Sequence, residues 1–168
     1  IGTHEDIKSI EAVHKTLKAM KDKIKIIYNG ILHNPKNKTY GMPSLLVRSD
    51  CLKDIVLGMH EPEIIVSQEH YRIINIKYAS LTLLKDGKGL SNKKSYQAYK
   101  AKIAIENLAL GFIQGYTPDI GYVIGRGYNY TKDKMTIYED KRFGAFDRLA
   151  EVDFHDDYVD FITEKHFK

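Results

Sequence analysis

The chain has 168 residues, 43% of them hydrophobic and 29% charged, and this length is typical of one domain that buries its own core. The composition excludes a disordered tail, and no apolar run approaches the ~20 residues that a membrane-spanning helix needs. The 26 basic and 22 acidic side chains give a net charge of +4, which permits a polyanionic partner without requiring one.

The single cysteine, Cys51, excludes a disulfide within the chain and favours a reducing, intracellular location. If the protein is viral, the cytoplasm or nucleus of the host or the virus particle meets this expectation. The sequence contains no internal repeat, low-complexity segment or linker, so we expect a single domain over residues 1–168. Because the chain begins with Ile1 and not Met, we also expect it to be a fragment or a processed form.

The first half of the sequence predicts a helix followed by two strands. Residues 4–20 have apolar side chains at helical spacing, and Thr3 is a suitable N-cap. Residues 24–33 are rich in β-branched and apolar types, and residues 43–48 form a second run of this kind. The turn residues at 34–38 lie between these runs, so we expect the two strands to pair as a hairpin.

The second half alternates strand and helix patterns. Its predicted elements are a strand at 71–78, a basic loop at 85–94, the longest helix at 95–114, a strand at 120–127, a possible short strand within 134–146, and a closing helix at 155–166. The order is therefore α-β-β-β-α-β-α. It predicts an α/β domain with a central mixed β-sheet, flanked by the helices near 4–20 and 95–114.

Three segments carry motifs whose order and spacing resemble those of a known nuclease superfamily. Residues 41–48 resemble its Gly-x-x-Asp-x-Leu strand, residues 71–77 its Asp/Glu-x-Lys strand, and residues 99–106 the helix with a Gln-x-x-x-Tyr motif. The strand at 121–127 also fits. Over roughly residues 24–160, the chain resembles the RecB-like branch of the PD-(D/E)xK, or restriction-endonuclease-like, superfamily, and in particular nuclease-like proteins of large DNA viruses. The resemblance implies a restriction-endonuclease-like core.

The resemblance also implies a chemistry. Such nucleases hydrolyse phosphodiesters with Mg²⁺, which prefers carboxylate and water ligands. The Asp of the second strand and the acid of the third hold the ion between two neighbouring strands. The Lys two residues later points to the same face because strand side chains alternate, and there it orients the attacking water or offsets developing negative charge.

The sequence departs from this pattern at nearly every site position. Ser44 and Asn75 stand where the two carboxylates are expected, and only Lys77 matches. On the helix, Lys102 replaces the Gln and Glu106 replaces the Tyr. Because two neutral groups and an added lysine do not attract Mg²⁺, we expect no cofactor, with Asn75 and Glu106 as weak metal ligands and Mg²⁺ required only if the protein is active. Two lysines without acidic partners favour an anion such as phosphate.

Three interpretations remain open, since a fold alone does not choose a function. In the first, catalysis is lost and a basic groove binds nucleic acid, with DNA expected; its binding residues would be Lys77, Lys102, Lys85, Lys88 and Arg126. In the second, the protein is an active metal-dependent DNA nuclease with a rearranged site. In the third, it is a structural or interaction protein of a virus particle, and the fold is only a scaffold. Whether the protein is an enzyme is therefore open.

Overall fold

The computed structural model describes residues 2, 4–55, 69–140, 149–156 and 159. Its helices are α1 (Ile10–Lys21), α2 (Leu52–Ile55) and α3 (Gln97–Gln114), and short 3₁₀ helices occupy His4–Lys8, Ser49–Cys51 and Lys94–Tyr96. The strands in chain order are β1 (Ile26–Tyr28), β2 (Leu32–Asn34), β3 (Thr39–Gly41), β4 (Leu45–Arg48), β5 (Tyr71–Ile76), β6 (Ser80–Thr82), β7 (Ile120–Ile124), β8 (Gly127–Lys132), β9 (Met135–Asp140) and β10 (Ala150–Asp153).

Five of these strands form a central mixed sheet in the order β1-β4-β5-β7-β10. All neighbours in it are antiparallel except β5 and β7, which are parallel and are joined through α3. The predicted α/β class and the mixed central sheet are therefore confirmed. Two smaller sheets accompany it, the β2-β3 hairpin and the three strands β6-β8-β9.

The two long helices lie against the same face of the central sheet. Ile103, Ala104 and Leu110 of α3 are buried in one hydrophobic cluster with Ile73 of β5, and Met20 of α1 packs against that cluster. The opposite face has a smaller cluster that includes Val47, Ile74 and Tyr122. Successive residues of β5 thus face opposite sides, as the alternation of a strand requires.

The predicted helix at 4–20 is correct in place but wrong in its start. Residues His4–Lys8 form a 3₁₀ helix, and α1 begins only at Ile10. Its N-cap is Ser9, whose hydroxyl accepts a hydrogen bond from the Ala12 amide at 3.3 Å, so Thr3 is not the cap of this helix.

The predicted strand at 24–33 is divided into two strands that join different sheets. Asn29 has a φ of +47°, a conformation that ends the β1 pairing with β4, and the Asn29-Gly30 dipeptide is the turn signal that marks the break. The expected pairing with the strand at 43–48 is present. The turn at 34–38 does not close it, because that turn connects β2 to β3.

The later elements are mostly as predicted. Strand β5 and helix α3 lie within the expected ranges, and Gly115 ends α3 with a φ of +74°. The predicted strand at 120–127 is wrong at its end, because β7 stops at Ile124 and Gly127 begins β8 in another sheet. The possible strand within 134–146 is present as β9. The predicted closing helix at 155–166 lies almost entirely outside the described residues.

No helix among the residues that the structure describes is long and apolar enough to cross a membrane.

Candidate functional site

The polar residues identified from the sequence lie together along one edge of the central sheet, where its strands begin or end. Strands β1, β5 and β7 run in the same direction, and β4 runs against them. The carboxyl ends of β1, β5 and β7 therefore meet the amino end of β4. Tyr28 ends β1, Ser44 precedes β4, Lys77 follows β5, and Arg126 lies two residues after the end of β7.

Ser44 and Asn75 lie in direct contact on neighbouring strands. The β4–β5 register pairs Leu45 with Ile74, so continuing it by one residue sets Ser44 opposite Asn75. The Ser44 amide donates to Asn75 Oδ1 at 3.0 Å, and the Ser44 hydroxyl lies 3.4 Å from the same oxygen. The Ile76 amide donates to Ser44 Oγ at 3.1 Å. Ser44 thus links the two strands by hydrogen bonds.

Helix α3 adds a carboxylate and an ammonium group to this pair. Asn75 Nδ2 donates to Glu106 Oε2 at 2.8 Å, and Lys102 Nζ forms an ion pair with Glu106 Oε1. The Glu106 side chain is only 2% exposed, whereas that of Lys102 is 46% exposed. A buried carboxylate requires hydrogen bonds and a counter-charge, and these two neighbours supply both. Asn75 is suited to its place because an aspartate there would face Glu106 with a second negative charge.

Gly41 allows the close approach of β3 to this part of α3. A Cβ atom added at Gly41 would lie 2.7 Å from Glu106 Cγ and 3.4 Å from Glu106 Cα. Any larger residue at this position would push against the buried carboxylate. The glycine therefore helps to set where the Glu106 side chain lies.

Lys77 is held at the mouth of the site by an aromatic ring. Its ammonium nitrogen lies 4.5 Å from the centroid of the Tyr99 ring on α3. The network opens into a cavity of about 650 Å³, lined by Gly2, Tyr28, Asn29, Met42, Ser44, Asn75, Lys77 and Lys102. Two of its described lining groups are cationic and none of them is a carboxylate, so this lining is suited to an anion.

The remaining predicted binding residues divide into two groups. Arg126 lies at the same sheet edge, and its guanidinium carbon is 5.5 Å from the ring centroid of Tyr78. Lys85 and Lys88 lie elsewhere, in a loop whose Gly89 pairs with Glu151 on the outer side of β10. That position is three strand spacings, or roughly 14 Å, from β5. The structure therefore does not bring Lys85 and Lys88 to the cavity.

The residues present do not fit Mg²⁺. Among the residues that the structure describes, Glu106 supplies the site's one carboxylate, and its two oxygens are already engaged by Asn75 and Lys102. The other polar side chains are the hydroxyls of Tyr28 and Ser44, the carboxamides of Asn29 and Asn75 and two ammonium groups, which give a dication little attraction. Among the described residues, no group of three or more His, Cys, Asp or Glu side chains is placed to hold a metal ion.

Asp50 and Cys51 do not belong to the site. The Arg48 guanidinium makes two hydrogen bonds to the Asp50 carboxylate, at 2.7 and 2.9 Å, and lowers the pKa of that carboxyl. Burial raises the pKa of the Cys51 thiol, which lies in the smaller hydrophobic cluster. Both residues lie just after the end of β4, and neither lines the cavity.

Four lining residues, Gly2, Tyr28, Asn29 and Met42, were not predicted from the sequence. The Asn29-Gly30 turn signal at the end of β1 was the available indication for two of them. Gly2 reaches the site through a backbone hydrogen bond from its amide to the Asn29 carbonyl at 3.0 Å, a long-range contact that no local pattern marks.

The fold and the site define the class of this protein: it is an α/β protein with a polar, cationic cavity at one edge of a mixed sheet. The chain matches no protein-family model, no curated protein and no solved structure.

Proposed function

We propose that this chain is a nucleic-acid-binding protein with a restriction-endonuclease-like core that has lost efficient Mg²⁺-dependent cleavage. The observation that carries the proposal is the network of Ser44, Asn75, Glu106 and Lys102 beside Lys77. The superfamily places its two acids on neighbouring strands, and Ser44 and Asn75 occupy neighbouring strands in contact. Neutral groups at both positions leave the site suited to phosphate and not to a dication.

The charge at the cavity supports phosphate binding. Lys77 and Lys102 line it, and the one nearby carboxylate, Glu106, is buried behind Lys102. Counted over the described residues, the cavity and its immediate network therefore have two positive charges and one negative charge. Lysine ammonium groups hold phosphates as point charges, and binding of this kind weakens with salt because counterions are released from the nucleic acid.

Aromatic side chains beside the basic ones favour nucleic acid over a simple anion. Tyr28 is 62% exposed at the cavity, and Tyr78 is 89% exposed next to Lys77 and under Arg126. Tyrosine rings at such exposed positions contribute little to a core. They offer faces on which bases stack, while the lysines meet the phosphates.

An active nuclease is the second candidate, and Glu106 is the observation that favours it. Its carboxylate reaches the position next to Asn75, where an acid of the superfamily pattern would bind metal. Catalysis would require Lys102 to leave Glu106 so that Mg²⁺ could bind. We expect this exchange to be unfavourable, because Mg²⁺ would gain one carboxylate and lie near two ammonium groups.

The test combines a cleavage assay with a binding assay. We expect no cleavage of DNA or RNA in Mg²⁺ or Mn²⁺, together with binding whose affinity falls as salt rises. Lys77→Gln should weaken binding about three- to tenfold at low salt and reduce the slope of log affinity against log salt by about 0.7 to 0.9. Lys132→Gln is the control, because it removes one positive charge at the far end of β8, roughly 16 Å along the strand from Gly127, the residue after Arg126.

The outcomes separate the three interpretations. Cleavage by the parent that Lys77→Ala abolishes would establish the active nuclease. Absence of both cleavage and binding at low salt would favour the scaffold interpretation. Metal-dependent cleavage gained only by Ser44→Asp/Asn75→Asp would show that catalysis was lost through these two positions.

A further inference from the structure

An apolar groove continues directly from the cationic cavity. It has a volume of about 360 Å³ and is lined by Ile7, Tyr40, Gly41, Met42, Ala98, Ala101, Lys102, Ile105 and Glu106. Met42 and Lys102 line both the groove and the cavity. A ligand held by Lys102 through a charged group therefore has an apolar space within one side-chain length of that group.

The walls of the groove are suited to a flat ring. Tyr40 forms part of one wall, and its ring is stacked on His33 with centroids 4.3 Å apart and planes inclined by 6°. This stacking holds the tyrosine in place. The facing wall is the apolar side of α3 around Ala98 and Ala101, whose small side chains leave the space open. Volumes of this size are typical of small-molecule sites.

We propose that the groove receives one unstacked base of a single-stranded nucleic acid, while Lys77 and Lys102 hold the adjoining phosphate. This inference rests on the proposed function and names its substrate form. The argument is the juxtaposition of an anion-binding cavity and an apolar groove that share Lys102 and Met42. In a nucleotide, a phosphate and a base are likewise joined at short range.

A duplex does not satisfy this arrangement. Its bases are paired and stacked within the helix, and extruding one costs free energy that a single strand does not have to supply. A single strand can place its base in the groove and its neighbouring bases on exposed rings such as Tyr78. We therefore expect a single strand to bind more tightly than either a duplex or a strand whose sugars lack bases.

The experiment measures binding by fluorescence anisotropy with three labelled probes of about 12 nucleotides, a length within the range that one single-strand-binding domain covers. The probes are a single strand, the duplex of the same sequence, and a single strand whose sugars lack bases but whose phosphates are unchanged. The single strand should bind about tenfold more tightly than the abasic strand, because stacking of even one base has an effect of this order.

A variant at Ala98 tests whether the groove is responsible. Ala98 is exposed on α3, so a larger side chain there can fill the groove without entering the core. Ala98→Leu should weaken binding of the single strand to the level of the abasic strand and leave the salt slope unchanged. Leu108→Phe is the control, because it adds bulk at an exposed residue of α3 that does not line the groove, and it should bind like the parent.

The outcomes distinguish this inference from the proposed function. Equal binding of the single strand and the abasic strand, unaffected by Ala98→Leu, overturns the base-binding groove and leaves the phosphate-binding cavity standing. Preference for the duplex overturns it as well. If none of the three probes binds at low salt, the proposed function fails together with the inference.

Discussion

The cavity edge and the loop around residues 85–90 contain similar charges in different surroundings. At the cavity, Lys102 neutralises the buried Glu106, which accepts a hydrogen bond from Asn75. In the loop, the backbone is ordered by the bridge between Gly89 and Glu151, but the side chains of Lys85 and Lys88 are exposed. The sequence alone suggested one basic groove containing both sets of lysines.

This difference shows that a charge acquires a specific role from the network to which it is linked. Lys102, paired with a buried carboxylate, and Lys77, held over the Tyr99 ring, have defined positions, whereas a lysine in an exposed loop samples many rotamers. The cavity lysines are therefore placed to select a ligand geometry, and the loop lysines contribute mainly to the general positive field.

The largest effect is expected at Glu106, where stability and binding should change in opposite directions. Glu106→Leu leaves the buried Asn75 amide without its acceptor, and we expect a loss of about 2–3 kcal/mol in the free energy of unfolding. Glu106→Gln keeps an acceptor and should cost about 1 kcal/mol. Both variants release Lys102 and should tighten nucleic-acid binding. Urea unfolding and anisotropy measure the two quantities.

A loss below about 0.5 kcal/mol for Glu106→Leu would mean that the network is not a stabilising unit, since surface substitutions have effects of that size. Weaker binding by Glu106→Gln, with folding intact, would contradict the idea that the carboxylate competes with phosphate for Lys102.

The second prediction concerns Gly41, which lies against the same carboxylate. In Gly41→Ala the new Cβ meets Glu106 Cγ, so either the strand or the side chain must shift. We expect a loss of about 1–2 kcal/mol, in the range found for overpacked sites. Thermal or urea unfolding measures it. Gly41→Ala combined with Glu106→Ala should recover part of the loss, and no recovery would mean that the strain lies elsewhere.

Much of this arrangement followed from patterns that are local in the chain. The helix at 95–114 has an apolar stripe and a terminal glycine, and both act within a few residues. The shared face of Ser44, Asn75 and Lys77 followed from strand alternation, which fixes side-chain direction once the register is set. These features depend on the neighbouring backbone, so they can be predicted from the sequence.

The features that escaped prediction depend on contacts between distant segments. The Asn29-Gly30 dipeptide marks a turn after β1, but the path of the chain beyond it depends on distant contacts: Gly30 lies against Leu46 and Thr16, and the Ile31 amide donates to the Thr16 hydroxyl at 2.8 Å. The departure of β8 from the central sheet follows from its pairing with β6 and β9. Apolar and β-branched composition favours a strand in each case, but it does not determine which sheet the strand joins.

The third prediction concerns Glu151, which pairs with Gly89 of the loop around residues 85–90. Burial raises the pKa of the Glu151 carboxyl above its usual 4.5, and the nearby Lys88 only partly opposes this. The folded state then binds the proton more tightly than the unfolded state. Its contribution to stability is present at low pH and is lost as pH rises from about 4.5 to the raised pKa.

Glu151→Gln should remove this pH dependence and raise the free energy of unfolding at neutral pH by less than about 1 kcal/mol, as expected for a partly buried surface site. The measurement is the difference in unfolding free energy between variant and parent at pH 4 and pH 7. An unchanged difference between the two pH values would show that Glu151 is not the responsible group.

The smallest effect is expected for the loop lysines, and it decides the comparison. Lys85→Gln/Lys88→Gln and Lys77→Gln/Lys102→Gln each remove two positive charges and take the net charge from +4 to +2. If net charge controlled binding, the two double variants would weaken it equally. Because Lys77 and Lys102 line the cavity and Lys85 and Lys88 do not, we expect the cavity pair to lower affinity about tenfold or more and the loop pair less than twofold. The measurement is anisotropy with the single-stranded probe over a salt series. The cavity variant leaves Glu106 without its ammonium partner, so urea unfolding must first show that this variant is still folded. Losses of equal size in the two variants would mean that the protein binds through its overall field, and the cavity would then have no special part in recognition.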